Sequence, residues 1–411
     1  MTADDQGTDR AATTGALSGI VVVDVSRVLA GPLCTQMLAD HGATVVKVEP
    51  PAGDETRTWG PPFVGADSSA YFQNLNRNKV NICLDLTTLD GIDVLRRLLD
   101  RADVLVENYK AGTLDRWGLG DEVLAEAYPA LVHCRITGFG VDGPMGAVPG
   151  YDAIAQAYSG LMSINGEAHG DPLRIGVPVV DMVTGIYAFS GVLLALHERH
   201  RSGLGQLVDC TLLDSAVSLL HPHSASYLAD GREPVRTGSA HPTIAPYETF
   251  TAAGGEQIFV AAGNDRQFRE LAEQLGCPGL ADDPRFAHNG DRVAHRPDLR
   301  ELIAEQVARC DAGELAGRLS AGGVPAARVN TVGQALRDAQ VTHRRMTVQD
   351  GGYRGIGAPI KLGRTPGSAP RAPRRKGEDT RAVLADLGYG PGRIDELVEA
   401  AVAIAPDREP R

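Results

Sequence analysis

The chain has 411 residues, enough for two or three domains with a sizeable core. Its 40 Lys and Arg residues are outnumbered by 52 Asp and Glu residues, and the formal net charge of -12 disfavours general nucleic-acid binding. The six cysteines form no C-x-x-C pair, so the sequence predicts neither a zinc site nor a disulfide framework. A reducing cytoplasm is the simplest expected location.

The opening of the chain alternates strands and helices. Residues 1–18 are polar and acidic and lack the basic and apolar segments of a signal peptide, so we expect a disordered lead. The apolar run 20–24 predicts a strand, residues 31–41 predict a helix with Pro32 in its first turn, and the β-branched run 43–48 predicts a second strand. Together these segments predict a βαβ unit.

The same alternation continues along the chain, through residues 80–86, 89–101, 103–107, 121–127 and 131–136. It predicts an α/β fold with a Rossmann-like parallel sheet covered by helices on both faces. Such sheets bind ligands at the carboxyl ends of their strands, so we expect a site at residues 26–30, Thr87, 108–109 and 137–140. The turn after the first strand lacks G-x-G-x-x-G, and G-x-x-x-x-G-K-[ST] occurs nowhere, which disfavours NAD and ATP chemistry.

The later part of the chain predicts a second module. Residues 177–196 are membrane-like in composition, but Pro178, Asp181 and further polar residues interrupt them, which favours a buried core helix. A hairpin and amphipathic helices follow from about residue 232 and indicate an α+β module. The predicted organisation is a large α/β domain over 19–225, a smaller α+β domain over 232–345 and a C-terminal return to the large domain over 350–404.

Asp181 is the most informative single residue, because it places a carboxylate among apolar neighbours at the predicted start of a helix. Desolvation raises the pKa of such a carboxyl group, whereas free N–H groups and the helix dipole lower it. A role as the N-cap of the helix and a role as a nucleophile both fit this position, and the two are compatible.

Short segments along nearly the whole chain resemble the class III CoA-transferases. This family includes the formyl-CoA and carnitine CoA-transferases and the related 2-methylacyl-CoA racemases. Each segment is weak by itself, and the resemblance rests on their number and order. The matching segments are residues 23–32, 41–50, 76–79, 106–109, 137–140, 181–185, 201–206, 283–286, 323–325 and 377–380.

The resemblance implies an interlocked homodimer and a double displacement in which Asp181 is the nucleophile. The carboxylate attacks an acyl-CoA to give an acyl-aspartyl anhydride, CoA then forms an aspartyl-CoA thioester, and an incoming carboxylic acid reverses the sequence. Coenzyme A is therefore expected as a co-substrate, with no permanently bound cofactor and no metal. The expected partners are an acyl-CoA, a carboxylic acid and a second copy of the chain, without nucleic acid or membrane.

The resemblance also implies CoA contacts at the matching positions, which are Val28, Ala30, Leu84, Asn108 and Arg116. Arg116 suits a phosphate because a guanidinium presents paired donors, although a solvated helix arginine is the alternative. Arg27, Thr87 and Thr137 stand where formyl-CoA transferases carry other residues, and Tyr109 follows Asn108 in the predicted site segment. These four residues are further candidates for cofactor binding.

Several departures from the family narrow the function. Pro50 replaces an arginine that contacts CoA in the formyl-CoA transferases. Tyr151 stands where the racemases carry a histidine, and an ordinary tyrosine pKa of about 10 makes a poor base at neutral pH, which disfavours racemisation. Two simpler roles also stay open, in which Tyr151 is a packing aromatic and Asp152 caps the following helix.

Residues 241–250 lack the run of four glycines of the formyl-CoA transferases, which disfavours formate and oxalate as substrates.

Two other functions remain as alternatives to CoA transfer. One is a 2-methylacyl-CoA racemase or epimerase, and the other is a non-catalytic CoA-binding subunit that keeps the fold. The intact Asp181 and the intact Thr184–Gly185 turn argue against the second, because a degenerate relative is expected to lose the nucleophile first.

Overall fold

A computed structural model describes residues 15–65, 67–146 and 148–406. The chain divides into two compact units. The first unit contains the chain up to Ser159, then Gly176–Leu220, and the chain from Thr342 onward. The second unit contains Gly160–Ile175 and His221–Val341.

The described strands are β1 (Val21–Asp24), β2 (Thr44–Glu49), β3 (Val80–Leu84), β4 (Val104–Glu107), β5 (Val132–Thr137), β6 (Leu207–Thr211), β7 (Tyr247–Thr251), β8 (Gln257–Ala261), β9 (Ala326–Arg328), β10 (Thr347–Asp350), β11 (Tyr353–Ile356) and β12 (Ala403–Ile404). The described α-helices are α1 (Ala30–Asp40), α2 (Ala70–Gln73), α3 (Leu89–Leu99), α4 (Thr113–Arg116), α5 (Asp121–Ala127), α6 (Asp152–Tyr158), α7 (Val179–Ser202), α8 (Leu212–Ser218), α9 (His223–Asp230), α10 (Asp265–Gln274), α11 (Asn289–Ala294), α12 (Arg296–Val307), α13 (Ala312–Ala321), α14 (Val332–Leu336), α15 (Ala339–His343), α16 (Thr380–Asp386) and α17 (Pro391–Glu399).

Within the described ranges, the first unit is built on a seven-stranded sheet with the order β12-β3-β2-β1-β4-β5-β6. Strands β1 to β6 are parallel, and β12 runs antiparallel to β3. Val23 pairs with Val46 on one side and with Leu105 on the other, which puts β1 in the interior of the sheet. The predicted Rossmann-like α/β fold is confirmed. The strand order reverses between β1 and β4, and this switch point is where doubly wound sheets bind ligands.

Buried apolar side chains explain the central strands. Val22, Val23 and Val104 to Val106 have no more than 1% of their surface exposed, because helices cover both faces of the sheet. On one face lie α1 and α7, which pack against each other. Helix α7 is long and apolar enough to be a candidate membrane span. One face of α7 packs against α1, α8, β5 and β6, where Val180, Ala188 and Val192 are fully buried, so the predicted core helix is buried on that face.

Part of the predicted lead is ordered. Residues 1–14 lie outside the described residues. Residues 16–19 form a turn, and the N–H of Leu17 donates to the carbonyl oxygen of His41 at 2.9 Å. The prediction of disorder is therefore wrong for residues 15–18, because this backbone contact ties the segment to the end of α1.

The second unit combines the antiparallel sheet β7-β8-β9 with helices α10 to α13. Its core contains Phe250, Phe268 and Phe286, each with 1% or less of its surface exposed. The structure also assigns Gly160–Ile175 to this unit, although the predicted boundary leaves that segment in the large domain. Arg236 accounts for the difference, because it donates to the carbonyl oxygens of Ser163 and Gly170 at 3.1 and 2.7 Å.

Candidate active site

A cleft opens in the first unit at the carboxyl ends of β1, β4 and β5. This is the switch point at which the sequence predicts a site. The cleft is lined by Arg27, Val28, Leu29, Ala30, Glu55, Asn108, Tyr109, Lys110, Ala111, Ile136, Thr137, Gly138, Gly140, Val148, Pro149, Gly150, Tyr151, Asp181 and Leu212.

Asp181 is the third residue of α7, within its first turn. The N-cap position is Pro178, so the hypothesis that Asp181 is the N-cap is wrong. Burial, and then the charge of Asp152, raise the pKa of Asp181 to about 7. The carboxyl group is therefore close to half ionised at neutral pH, which is unusual for an aspartate.

Asp152 takes the place that a capping side chain would hold at the start of α7. Its Oδ2 accepts the N–H of Val180 at 2.8 Å and the N–H of Asp181 at 3.2 Å, and its Oδ1 accepts from Gln156 at 2.6 Å. The prediction that Asp152 caps the following helix is wrong, since it lies inside α6 and caps α7 instead. The carboxylate of Asp152 thus occupies the N-terminus of α7. The positive end of the helix dipole therefore stabilises the charge of Asp152 rather than that of Asp181.

The start of α1 lies beside Asp181. Gly185 comes one helical turn after Asp181, and a Cβ atom at Gly185 would lie 2.7 Å from the carbonyl oxygen of Ala30. Only glycine permits this approach of α7 to α1. In the described structure no side chain caps α1 at Leu29, and both Leu29 and Ala30 line the cleft. The N–H groups of Ala30 and Gly31, in the first turn of α1, have no intrahelical acceptor, and Ala30 shares the cleft with Asp181.

Arg27 and Asn108 connect the ends of β1 and β4. The side-chain Oδ1 of Asn108 accepts the N–H of Arg27 at 2.9 Å, and its Nδ2 donates to the carbonyl oxygen of Arg27 at 2.8 Å. The guanidinium carbon of Arg27 lies 5.6 Å from the ring centroid of Tyr109. The buried Nε of Arg27 has no hydrogen-bond partner among the described residues. An anionic ligand entering this cleft would therefore meet a cation without an ion-pair partner.

The loop after β5 forms another wall of the cleft. Oγ1 of Thr137 accepts the N–H of Gly140 at 3.0 Å, which closes a tight turn. A Cβ atom at Gly138 would lie 2.5 Å from the backbone nitrogen of Gly150. Glycine at position 138 thus allows two backbone segments to touch, and both segments line the cleft.

The structure brings most of the predicted site residues together. Asp181 shares the cleft with six predicted CoA contacts, which are Arg27, Val28, Ala30, Asn108, Tyr109 and Thr137. Leu84 is fully buried in β3, opposite Ala403, and does not line the cleft. Arg116 is an exposed residue of α4 that donates to Oγ1 of Thr113 at 3.0 Å, also outside the cleft lining. CoA contacts at Leu84 and Arg116 stay predictions.

Sequence reasoning missed three residues in the surroundings of Asp181. Lys110 and Glu55 line the cleft, and burial followed by the charges of Asp181 and Asp152 raises the pKa of Tyr71 to about 12. Lys110 directly follows two predicted residues at the end of β4, so the strand-end rule could have included it. No local pattern marks Glu55 or Tyr71. Across the described ranges, no group of three or more His, Cys, Asp and Glu residues is arranged to hold a metal ion.

Comparison with known proteins decides the family. The profile of CoA-transferase family III matches residues 17–380. The chain belongs to this family. A solved structure of a CAIB/BAIF family protein from Brucella suis is 41% identical, covers 91% of this chain and 100% of its own, and gives a TM-score of 0.84. The class III CoA-transferase described here is therefore an enzyme that moves CoA between an acyl-CoA and a carboxylate.

The relatives of this class III CoA-transferase carry substrate names. A succinate–glutarate CoA-transferase of Agrobacterium fabrum is 44% identical over 90% of this chain and 95% of its own length. The human succinyl-CoA:glutarate CoA-transferase is 37% identical over 94% of this chain and 89% of its own length. A succinyl-CoA:mesaconate CoA-transferase of Haloarcula hispanica is 40% identical over 93% of this chain and 99% of its own length.

Proposed function

We propose that this enzyme transfers CoA from succinyl-CoA to a short dicarboxylic acid such as glutarate, through covalent intermediates on Asp181. The observation that carries the mechanism is the position of Asp181 in one cleft with the uncapped start of α1. The names of the relatives support the substrate class, because succinate, glutarate and mesaconate are all dicarboxylates.

The proposed reaction conserves charge at every step, and the thioester that is broken in the first step is replaced by a new thioester at the end. The Asp181 carboxylate attacks the thioester carbonyl and expels CoA as a thiolate, which leaves a mixed anhydride between Asp181 and the acyl group. The thiolate then attacks the aspartyl carbonyl carbon and expels succinate, which leaves an aspartyl-CoA thioester. The acceptor carboxylate repeats both steps in reverse order and regenerates the Asp181 carboxylate. No external energy source is needed, because one thioester replaces another.

The surroundings of Asp181 suit a nucleophile. A carboxylate of raised pKa is a stronger base than an ordinary aspartate, and it is still substantially ionised at a pH near 7. Each tetrahedral intermediate carries an oxyanion, and the free N–H groups at the start of α1 are suited to stabilise it. Arg27, with its unpaired Nε, is suited to a phosphate of CoA.

Substitution of the nucleophile tests the mechanism. Asp181→Asn and Asp181→Ala should lower the transfer rate by on the order of 10⁴-fold or more, while the Kd for CoA changes little. Asp214→Asn is the matched control, because Asp214 is the third residue of α8 and is exposed. Incubation of the wild-type enzyme with succinyl-CoA and hydroxylamine should leave a hydroxamate on Asp181 alone, detected by peptide mass spectrometry.

Two results would overturn the mechanism. One is transfer by Asp181→Ala within tenfold of the wild-type rate in enzyme shown to be free of contaminants. The other is rapid uptake of solvent deuterium by a 2-methylacyl-CoA without an acceptor acid and without hydroxamate on Asp181. The second result would favour a racemase, in which Asp181 acts as a general base.

A panel of acceptors tests the substrate class. With succinyl-CoA as donor, kcat/KM for glutarate should exceed kcat/KM for butyrate by roughly 100-fold, because a site that pairs with the distal carboxylate is left with an unpaired polar group when that carboxylate is missing. Transfer to butyrate at the same efficiency would contradict the dicarboxylate proposal and leave the mechanism at Asp181 untouched.

We also propose that the enzyme is an interlocked homodimer and that a second copy covers part of α7. Ile186 and Leu194 stand on one stripe of this helix and expose 43% and 71% of their surface, although α7 is otherwise a core helix. Leu194→Glu should weaken the dimer in sedimentation velocity experiments, whereas Leu89→Glu, on the exposed face of α3, should not. A wild-type enzyme that sediments as a folded monomer at nanomolar concentration would refute the dimer.

A cytoplasmic location completes the proposal. The six cysteines are free, and Cys34, Cys83 and Cys134 are buried, as expected in a reducing compartment. Cell fractionation should place the enzyme with soluble cytoplasmic markers, and its recovery with membranes would contradict this location.

A further inference from the structure

The turn between β1 and α1 contains a residue in an unusual backbone conformation. Val28 has a φ angle of 70°, in the left-handed region, where a β-branched residue is a genuine outlier. Val28 lines the cleft and directly precedes Leu29 and Ala30 at the start of α1. Strained residues persist only where the surrounding structure enforces them, and they are concentrated at functional sites.

Buried charges fix both ends of this turn. Nζ of Lys47 donates to the carbonyl oxygen of Ser26 at 3.0 Å, and Nζ of Lys79 donates to the carbonyl oxygen of Pro32 at 2.9 Å. The backbone N–H of Ser26 in turn donates to Asp24 at 3.0 Å. These bonds hold the segments on either side of Val28, and a separate group binds the backbone of Arg27, the residue directly before it.

Asn108 is that group. Its carboxamide bonds both the N–H and the carbonyl oxygen of Arg27, the residue that precedes Val28. Two bonds from one planar group restrict both backbone angles of Arg27, and they fix the direction in which the chain enters Val28. The amide of Asn108 is thus used by the turn, in contrast to the nucleotide contact that the family resemblance implies.

We propose that Asn108 is a positioning residue that holds Val28 in its left-handed conformation, so that the N–H groups at the start of α1 point at the reacting carbonyl oxygen. This inference rests on the proposed reaction at Asp181. An aspartate at position 108 would not suffice, because a carboxylate accepts from the N–H of Arg27 but cannot donate to its carbonyl oxygen.

A double-mutant cycle between Asn108 and Val28 tests this role. Asn108→Ala should lower kcat by roughly 30-fold, while KM for succinyl-CoA stays within about threefold, since small misplacements of the oxyanion donors act on the transition state. Val28→Gly removes the penalty on a positive φ. In the Val28→Gly background, Asn108→Ala should therefore cost at least about fivefold less in kcat than it does beside Val28.

A structural role alone would not give this pattern. Asn78→Ala is the control, because both amide atoms of Asn78 also connect separate segments, through Asp40 Oδ1 at 2.8 Å and the N–H of Arg371 at 2.7 Å, away from the cleft. It should lower the melting temperature and leave kcat unchanged. Equal effects of Asn108→Ala in the two backgrounds, or a loss confined to KM, would overturn the proposal.

Hydrogen exchange separates this inference from the proposed function. The Arg27 N–H loses its acceptor in Asn108→Ala, so the peptide that covers residues 25–30 should exchange faster than in the wild-type enzyme, with no substrate present. Equal exchange in the two proteins would overturn the inference even if the wild type transfers CoA. If the wild type transfers no CoA, the proposed function fails, and the exchange experiment still decides whether Asn108 holds the turn.

Discussion

Two aspartates of the first unit, Asp24 and Asp181, meet opposite electrostatic surroundings. Asp24 is fully buried, and its carboxylate lies 3.0 Å from Nζ of Lys79 and 2.6 Å from Oγ1 of Thr35. Burial alone would raise the pKa of Asp24, but the charges of Lys79 and Lys47, together with hydrogen bonds from Ser26 and Thr35, outweigh burial and lower the pKa to about 2. Asp181 is also largely buried, but the charge next to it is the negative one of Asp152. Burial and this charge both raise the pKa of Asp181, to about 7.

The comparison shows how one unit moves the pKa values of two aspartates in opposite directions. Two buried lysines of the first unit form ion pairs with aspartates other than Asp181. Nζ of Lys79 lies 3.0 Å from Asp24, and Nζ of Lys47 lies 3.0 Å from Oδ2 of Asp54. No cation contributes to the pKa shift of Asp181. A permanently paired carboxylate is a poor nucleophile, whereas an unpaired and partly desolvated one keeps its reactivity at a cost in stability.

Removing the buried, ion-paired Asp24 should have the largest effect on stability. Asp24→Asn leaves the buried Lys79 without its counter-charge, while Lys47 keeps Asp54, so the free energy of unfolding should fall by about 3–5 kcal/mol. Denaturant unfolding at fixed protein concentration measures this loss. Asp386→Asn is the control, because Asp386 pairs with Arg101 on the exposed surface at 3.0 Å and should change the free energy by less than about 1 kcal/mol. Similar losses of unfolding free energy in Asp24→Asn and Asp386→Asn would contradict the expected difference between a buried and an exposed carboxylate.

Removing Asp181, the proposed nucleophile, should stabilise the enzyme. An acid whose pKa is raised from the usual 3.8 to about 7 in the folded state binds its proton more tightly there, so folding is penalised as the pH rises from about 4 to about 7. Above pH 7 the penalty is complete. Asp181→Asn should therefore raise the free energy of unfolding by on the order of 2–4 kcal/mol at pH 8, with a much smaller gain at pH 5. An equal gain at both pH values would show that the charge of Asp181 is not its cause.

Removing the neighbouring charge should move the pH profile of catalysis. The wild-type kcat/KM should fall as the pH drops through about 7, because the nucleophile must be ionised. In Asp152→Asn, the lost repulsion should shift this acid limb down by roughly one pH unit, while the asparagine oxygen can still accept from the start of α7. Asp214→Asn should keep the wild-type profile. An unchanged profile in Asp152→Asn would mean that burial alone sets the pKa of Asp181.

Local patterns in the sequence predicted much of the first unit. The alternation of β-branched runs and amphipathic helices gave β1, α1 and β2 within one or two residues of their observed ends. The rule that parallel sheets bind at strand ends then located Arg27, Asn108 and Thr137 in one cleft. These predictions depend on periodicity and chain order, which are properties of short segments.

Contacts between distant segments were beyond such patterns. Asp152 accepts from the N–H of Val180, which lies 28 residues later in the chain. Nothing near Asp152 in the sequence indicates that it caps another helix rather than its own. The assignment of Gly160–Ile175 to the second unit depends in the same way on Arg236, far along the chain. Such pairings are set by tertiary packing, which one-dimensional periodicity does not encode.

The sequence by itself determined the parallel sheet and the family pattern, and it led to the prediction of Asp181 as the nucleophile, because these follow from residue types and their order. Only the tertiary structure decided the electrostatic state of that carboxylate. From the sequence, burial was expected to raise the pKa of Asp181 and the helix dipole to lower it. In the structure the N–H groups at the start of α7 bind Asp152 instead, so the effect of burial prevails. The tertiary structure likewise decided that the side-chain amide of Asn108 hydrogen-bonds the backbone of Arg27. Charge and hydrogen-bond capacity act over a few ångströms, so their effect depends on which distant residues the fold brings within reach.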